Sequence, residues 1–317
     1  MPTTAPSGPS WGSNSTRLGV AEVFGPDDVR AACAFVAERA ALVRIDDAAL
    51  ENLAQSVRSE PVAEPDRLDV DFALTFNAVN FGSGWHPYMS KLRGKSGNVT
   101  LSTLLRKRFD ADGAFTAAEL ARVTADDCAR VFGQHLHPPV DELMGLFAQS
   151  WNDLGRFLLD RFDGSFSGLV ESVGDSGVRL VALLQEMPMY RDVASYSGRA
   201  VPLLKRAQIS ASDIGGFADL NTLTLFADNL IPHVLRIEGV LVLDDDLAAD
   251  IDAQRLLEPG GQAETELRAV AVHAVERMVA ELDGAVAARQ LDNLLWRRGQ
   301  EPRFKATPRP RARTIYY

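Results

Sequence analysis

The stretch Val140-Asp-Glu-Leu-Met-Gly-Leu-Phe-Ala-Gln-Ser-Trp-Asn-Asp-Leu-Gly-Arg-Phe-Leu-Leu-Asp-Arg-Phe162 decides the fold class. Leu143, Leu146, Phe147, Trp151, Leu154, Phe157 and Leu158 recur at steps of three and four. They therefore fall on or near one face of a long amphipathic helix. Thr265 to Leu282 repeats the pattern with Leu267, Val270, Ala274, Val275, Met278 and Leu282. Val29, Cys33, Val36, Ala40 and Val43 follow Pro26-Asp27-Asp28 at the same spacing, and Asp46-Asp47 opens another helix through Leu50, Leu53 and Val57. Thr116-Ala-Ala-Glu119 has capping-box spacing, and Thr124-Ala-Asp-Asp127 repeats it. Asp244-Asp-Asp246 reads as a helix start, and Ala285 to Arg298 as the last helix. Alternating strands are scarce. The expected fold is mainly α, with at most a few short strands and one small strand pair.

Working outward, residues 1 to about 17 are rich in Ser, Pro, Thr and Gly and read as a flexible tail. No linker interrupts the remainder, so residues 18–317 are expected to form a single helical unit. With 46% hydrophobic and 24% charged residues, wholesale disorder is excluded. Two cysteines, Cys33 and Cys128, exclude a disulfide framework. No apolar run is long enough for a membrane helix and the first residues do not form a signal peptide, so a soluble, cytoplasmic protein is expected. Lys and Arg number 33 against 43 Asp and Glu, a net charge of −10. Polynucleotide binders usually present a basic surface, so this balance speaks against a long nucleic-acid partner.

Phosphate-loop, dinucleotide-binding, zinc-protease and serine-hydrolase signatures are absent. Cys128, His135 and His137 are too few for a strong metal site, and none is expected. The segment Asp219 to His233 sets Asp219, Asn221, Thr224, Asp228 and Asn229 among Leu, Phe and Ile. Carboxylates amid apolar residues are costly unless paired or used, although Asp219 or Asp228 could equally cap a helix. Lys205-Arg206 reads as a solvated helix face, and Tyr190-Arg191-Asp192 as a surface ion pair. Phe76, Asn77, Asn80, Phe81 and Trp85 mix amides with rings, a combination suited to the edges and faces of a base, or simply to a core helix.

Taken in order, these segments resemble the queuosine salvage protein family, the queuosine 5′-phosphate N-glycosylases. The resemblance rests on Tyr190-Arg191-Asp192, Lys205-Arg-Ala-Gln-Ile209, Thr224-Leu-Phe-Ala-Asp228 with Ile231-Pro232, and Ile315-Tyr-Tyr317. Asn80-Phe81 with Trp85 fits as well, and the likeness spans about residues 70 to 317. It implies a helical fold similar to helix-hairpin-helix DNA glycosylases, although the Leu-Pro-Gly-x-Gly hairpin of those enzymes is missing here. It also implies release of queuine from queuosine 5′-monophosphate, a small-molecule substrate, without a cofactor.

On that resemblance, Asp228 is expected to stabilise an oxocarbenium-like ribose. Lys205 stands beside it or, with Arg206, on the phosphate. Asn77, Asn80 and Asn221 are candidate donors to the base, and Phe81, Trp85 and Phe226 candidate stacking faces. Asp219, Asn229 and His233 complete the expected substrate contacts. The basic run Arg303, Lys305, Arg309, Arg311, Arg313 ends in Ile-Tyr-Tyr, which points to a docked segment rather than a solvated tail. A DNA glycosylase and a non-catalytic nucleotide binder are the competing readings.

Overall fold

The computed structural model describes residues 22–317; the expected tail, residues 1 to about 17, lies outside them. Helix starts are set locally. Pro26 opens α1 (Pro26–Ala37), and the Asp46 carboxylate accepts from Ala49 N at 2.9 Å to start α2 (Asp47–Arg58). α3 (Val70–Ala78) is buried on nearly every side. Ser96 caps α4 (Gly97–Asp112). Both expected capping boxes form, at α5 (Ala117–Leu120) and α6 (Ala125–Val131): each Thr hydroxyl accepts an amide three residues on, and Glu119 or Asp127 reaches back. α7 is Val140–Phe162. Ser165 and Ser176 cap α8 (Phe166–Ser172) and α9 (Gly177–Leu184). α10 (Lys205–Ile214), α11 (Leu230–Ile237) and α12 (Asp245–Asp252) follow, the last capped by Asp244 as expected. α13 (Gln262–Glu281) and α14 (Ala288–Arg298) come next. The last expected helix is not the last, because α15 (Pro302–Ala306) follows it.

Two long helices organise the packing. α7 carries α3, α5, α6 and α8 around it. Its Trp151 and Phe147 join Phe81, Phe115 and Phe132 in an aromatic core, with ring centroids 5.0–5.5 Å apart. Gly155 lets α5 approach, since a Cβ there would lie 2.3 Å from Ala121 N. α13 collects α1, α2, α11 and α14. Its buried run Ala269, Val270, Ala271, Val272, Ala274 and Val275 is small-sided, which lets neighbours close on several faces. α10 packs against both α3 and α9.

Two antiparallel strand pairs are present rather than one. β2 (Val193–Tyr196) and β3 (Arg199–Pro202) form a hairpin on Ser197-Gly198, both at positive φ, the geometry that matches strand twist. β1 (Val43–Ile45) pairs with β4 (Leu241–Leu243) from far along the chain. Among the described residues, no helix is long and apolar enough to cross a membrane.

Candidate active site

A cleft of about 1230 Å³ opens between the end of α3 with the loop behind it, α4, one face of α10, the turn 226–230, α14 and the segment 305–311. Lys205, Ile209, Ser212 and Asp213 line it from α10. Their spacing of four, seven and eight residues puts all four on one helix face.

The α3 side is a relay of amides. Asn77 Nδ2 donates to Asp213 Oδ2 at 2.8 Å, Asn80 Nδ2 to Asn77 Oδ1 at 2.9 Å, and Asn98 Nδ2 to Asn80 Oδ1 at 2.7 Å. The Lys205 ammonium donates to the Asn80 carbonyl at 2.9 Å. Each amide therefore has its orientation fixed by the next.

Asp228 does two jobs. Its Oδ1 accepts from Leu230 N at 2.7 Å and Ile231 N at 3.1 Å, starting α11. Its Oδ2 accepts no hydrogen bond among the described residues, and the side chain lines the cleft. Asp292 enters from α14 with Oδ1 accepting from Phe226 N at 3.2 Å. Burial first, then the charge of Asp228, push the Asp292 carboxyl well above the usual carboxylate range, so it holds its proton more tightly than an exposed carboxyl does. Burial raises Asp213 to about 6, and lowers Lys205 to about 8 against the pull of Asp228. The cleft thus sets carboxyl groups with different proton affinities around one buried ammonium, an arrangement typical of acid–base sites.

Behind this cluster, Arg268 binds Asp192 through both terminal nitrogens at 3.0 and 2.5 Å, and Glu264 at 3.2 Å. Its Nε donates to the Ala227 carbonyl at 2.9 Å, directly before Asp228. Asp192 in turn accepts Lys205 N at 3.1 Å on its carboxylate, and Leu203 N and Leu204 N at 2.9 and 3.3 Å on its carbonyl. Leu204 sits at φ +54°, a left-handed conformation that costs a side-chain-bearing residue roughly 1–2 kcal/mol. Asp192 is therefore no surface pair: one buried knot holds the backbone of both Lys205 and Asp228.

Lys205, Asn80, Phe81, Phe226, Asp228 and Asn229 line the cleft as expected. Six other expected contacts do not. Arg206 is buried, sandwiched between the Phe81 and Tyr190 rings, donates to the carbonyls of Ala78 and Met189, and does not reach the cleft where a phosphate would sit. Trp85 is buried against α7, its Nε1 donating to Glu142 at 2.8 Å. Asp219 accepts from Gly177 N at 2.6 Å and caps α9. Asn221 accepts from Arg289 Nε at 3.0 Å, and His233 donates to the Phe304 carbonyl at 2.7 Å inside the core. Asn77 lies behind the wall and acts through Asn80 and Asp213. Cys128 is buried in α6, while His135 and His137 are exposed, so these three do not converge.

Sequence reasoning missed Asp213 and Asp292. A polar stripe at helical spacing from Lys205, and a carboxylate among Leu291, Leu294 and Leu295, were the available signals. The basic run bends back over the site: Lys305, Arg309 and Arg311 line the cleft, and Asn229 Nδ2 donates to the Pro310 carbonyl at 3.0 Å. The expected docking of Ile315 to Tyr317 is seen. Gly82 N donates to the Tyr317 carbonyl at 2.9 Å, and the ring lies under Arg268 at 4.7 Å.

Residues 60–317 match the family described as queuosine salvage protein. A relative from Sphaerobacter thermophilus named queuosine 5′-phosphate N-glycosylase/hydrolase is 32% identical over 89% of this chain and 95% of its own. Relatives with the same name from Bos taurus (26% identical, 91% and 98% covered) and Dictyostelium discoideum (32%, 67% and 66%) are also similar.

Proposed function

The chain belongs to the queuosine salvage protein family, and from that premise we infer that its cleft hydrolyses the N-glycosidic bond of queuosine 5′-monophosphate, releasing queuine and ribose 5-phosphate. One observation carries the chemistry: Asp228 uses one oxygen to start α11 and presents the other to the cleft, beside Lys205 and Asp292. As the C1′–N bond breaks, its electron pair leaves with the base and positive charge develops on the ribose. The Asp228 carboxylate faces that charge and orients the water that adds to C1′.

Queuine is a 7-deazaguanine, so the leaving base cannot be protonated at position 7. Asp292, whose carboxyl holds its proton more tightly than usual, gives a proton elsewhere on the base in this reading, and the water's proton replaces it by way of Asp228. Phe81 and Phe226 supply apolar faces. Lys305 and Arg309 take the 5′-phosphate in the role first expected of Arg206; Arg309 is half-buried and lies within the field of Asp228. Both cysteines are free and buried, which fits the reducing cytoplasm.

The test is queuine release, followed by mass spectrometry, from queuosine 5′-monophosphate, the nucleoside and queuosine-bearing tRNA. Release is expected from the monophosphate. Asp228→Asn should lower kcat by about 10²–10³ with little change in stability, the range for removing one preorganised electrostatic group. Near wild-type turnover in that variant would overturn the assignment. Release from tRNA that falls steeply with salt would instead favour the polynucleotide reading.

A further inference from the structure

Residues 72–109 and 302–317 hold eleven of the chain's 33 Lys and Arg residues and none of its 43 Asp and Glu residues, in a molecule of net charge −10. The fold brings both acid-free segments to the mouth of the cleft. Lys91, Lys95 and Lys107 line it from the α4 side, and Lys305, Arg309 and Arg311 from the returning segment. The two segments touch at Gly84, where a Cβ would lie 2.5 Å from the Ala312 carbonyl oxygen, so they form one continuous band. The four lysines are exposed, and none of the six side chains forms an ion pair among the described residues. Elsewhere on the surface cations commonly find an acid, as in Arg161–Glu186, Arg255–Asp250 and Arg298–Glu60. In all, nine Lys and Arg side chains line the cleft against five Asp, so the cleft is positive inside an acidic molecule.

That field reaches inward. His86 lines the cleft, and burial first, then Lys91, Lys205 and Arg309, lower its imidazole to about 4. Cations of both segments therefore act on one buried point. A cleft lined by one sign of charge, with walls of low dielectric, focuses field lines and speeds the arrival of ligands of the opposite sign. A phosphate monoester carries about −1.5 to −2 charges at neutral pH, whereas the corresponding nucleoside has no anionic group. We propose that Lys91, Lys95 and Lys107, together with the returning basic segment, form a capture surface for phosphate-monoester nucleotides. It selects nucleotide over nucleoside by rate of arrival, acting through space before any contact is made. The identity of the nucleotide rests on the glycosylase reading; the charge it must carry does not.

The triple variant Lys91→Gln, Lys95→Gln, Lys107→Gln removes three exposed charges and leaves Lys305 and Arg309 in place. Association is followed by stopped-flow fluorescence of Trp296, which lines the cleft, with queuosine 5′-monophosphate and queuosine as probes. Salt is varied from about 20 to about 300 mM, over which the screening length shrinks from about 20 to about 6 Å. In the wild type the association rate of the monophosphate is expected to fall about tenfold across that range, and that of the nucleoside not to fall. In the triple variant the low-salt rate for the monophosphate is expected to drop about tenfold and its salt dependence to flatten, with dissociation within twofold of the wild type and no slowing of the nucleoside. Three results overturn the proposal. Dissociation that quickens about tenfold makes the lysines direct contacts, since contacts act mainly on dissociation. Equal slowing of the nucleoside means a damaged cleft. An unmodified single-stranded RNA that binds the wild type but not the variant, and displaces the monophosphate, makes the band a polynucleotide surface. Salt-steep association without queuine release leaves the capture surface standing and removes the hydrolytic reading. Release with salt-independent association does the reverse.

Discussion

Two clusters of buried charge flank the first turn of α10, and they are built in opposite ways. In the knot, Arg268 and Asp192 are each only 3% exposed, and Arg268 has a partner on every nitrogen. Burial alone would strip the guanidinium of its proton more easily, but Asp192 and Glu264 outweigh it and hold the proton tighter than usual. In the cleft, Lys205 has no carboxylate within ion-pair distance among the described residues, and burial wins: the ammonium loosens while Asp213 and Asp292 tighten their protons. The difference teaches that burial by itself does not mark a reactive group. Burial without completed pairing does, because the unmet electrostatic demand is what a substrate can satisfy.

The contrast breaks most visibly at Arg268. Arg268→Met leaves Asp192 and Glu264 buried and unpaired, and a loss of about 3–5 kcal/mol in denaturant unfolding is expected, with activity falling too because Ala227 and the turn at Leu204 lose their anchor. A stability change below about 1 kcal/mol would show that the knot is dispensable, as exposed pairs generally are.

Lys205 gives the next largest effect, and its sign is opposite. Its folded value of about 8 lies below its ordinary 10.5, so between those limits the unfolded chain binds more protons. Unfolding free energy should therefore rise with pH from about 8 to 10.5, and the cost of burying the charge is fully present below about 8. Lys205→Met should flatten that rise and change stability at pH 7 by about 1–3 kcal/mol or less, while reducing turnover. An unchanged slope would mean that the ammonium is solvated.

The smallest effect sharpens the cleft's boundary. Trp85→Phe removes the bond to Glu142 and should cost about 1 kcal/mol of stability while leaving KM for the monophosphate within twofold. A tenfold rise in KM would return Trp85 to the base pocket.

Much of this architecture is legible in the residues alone. The apolar faces of α7 and α13, the two capping boxes and the Asp244 cap depend on contacts within a few residues, and each appears where its spacing predicts it. Asp228 was legible twice over, as a helix cap and as a carboxylate amid apolar neighbours, and the structure makes it both. Arg206 and Trp85 misled for one reason. Their chemistry suits a ligand, but backbone carbonyls and Glu142 satisfy it first, and those partners lie 57 positions away for Trp85 and up to 129 for Arg206.

By itself, then, the sequence determined the helices, their starts and the segments that carry the family likeness, because helix periodicity and capping act over one or two turns. Only the tertiary structure decided that β1 meets β4, that the basic run returns to the cleft, and that Asp192 lies buried under Arg268 rather than on the surface. It also decided which carboxyl groups hold a proton more tightly than usual. Desolvation and charge coupling sum over neighbours brought together from the whole chain, and no local pattern contains that sum.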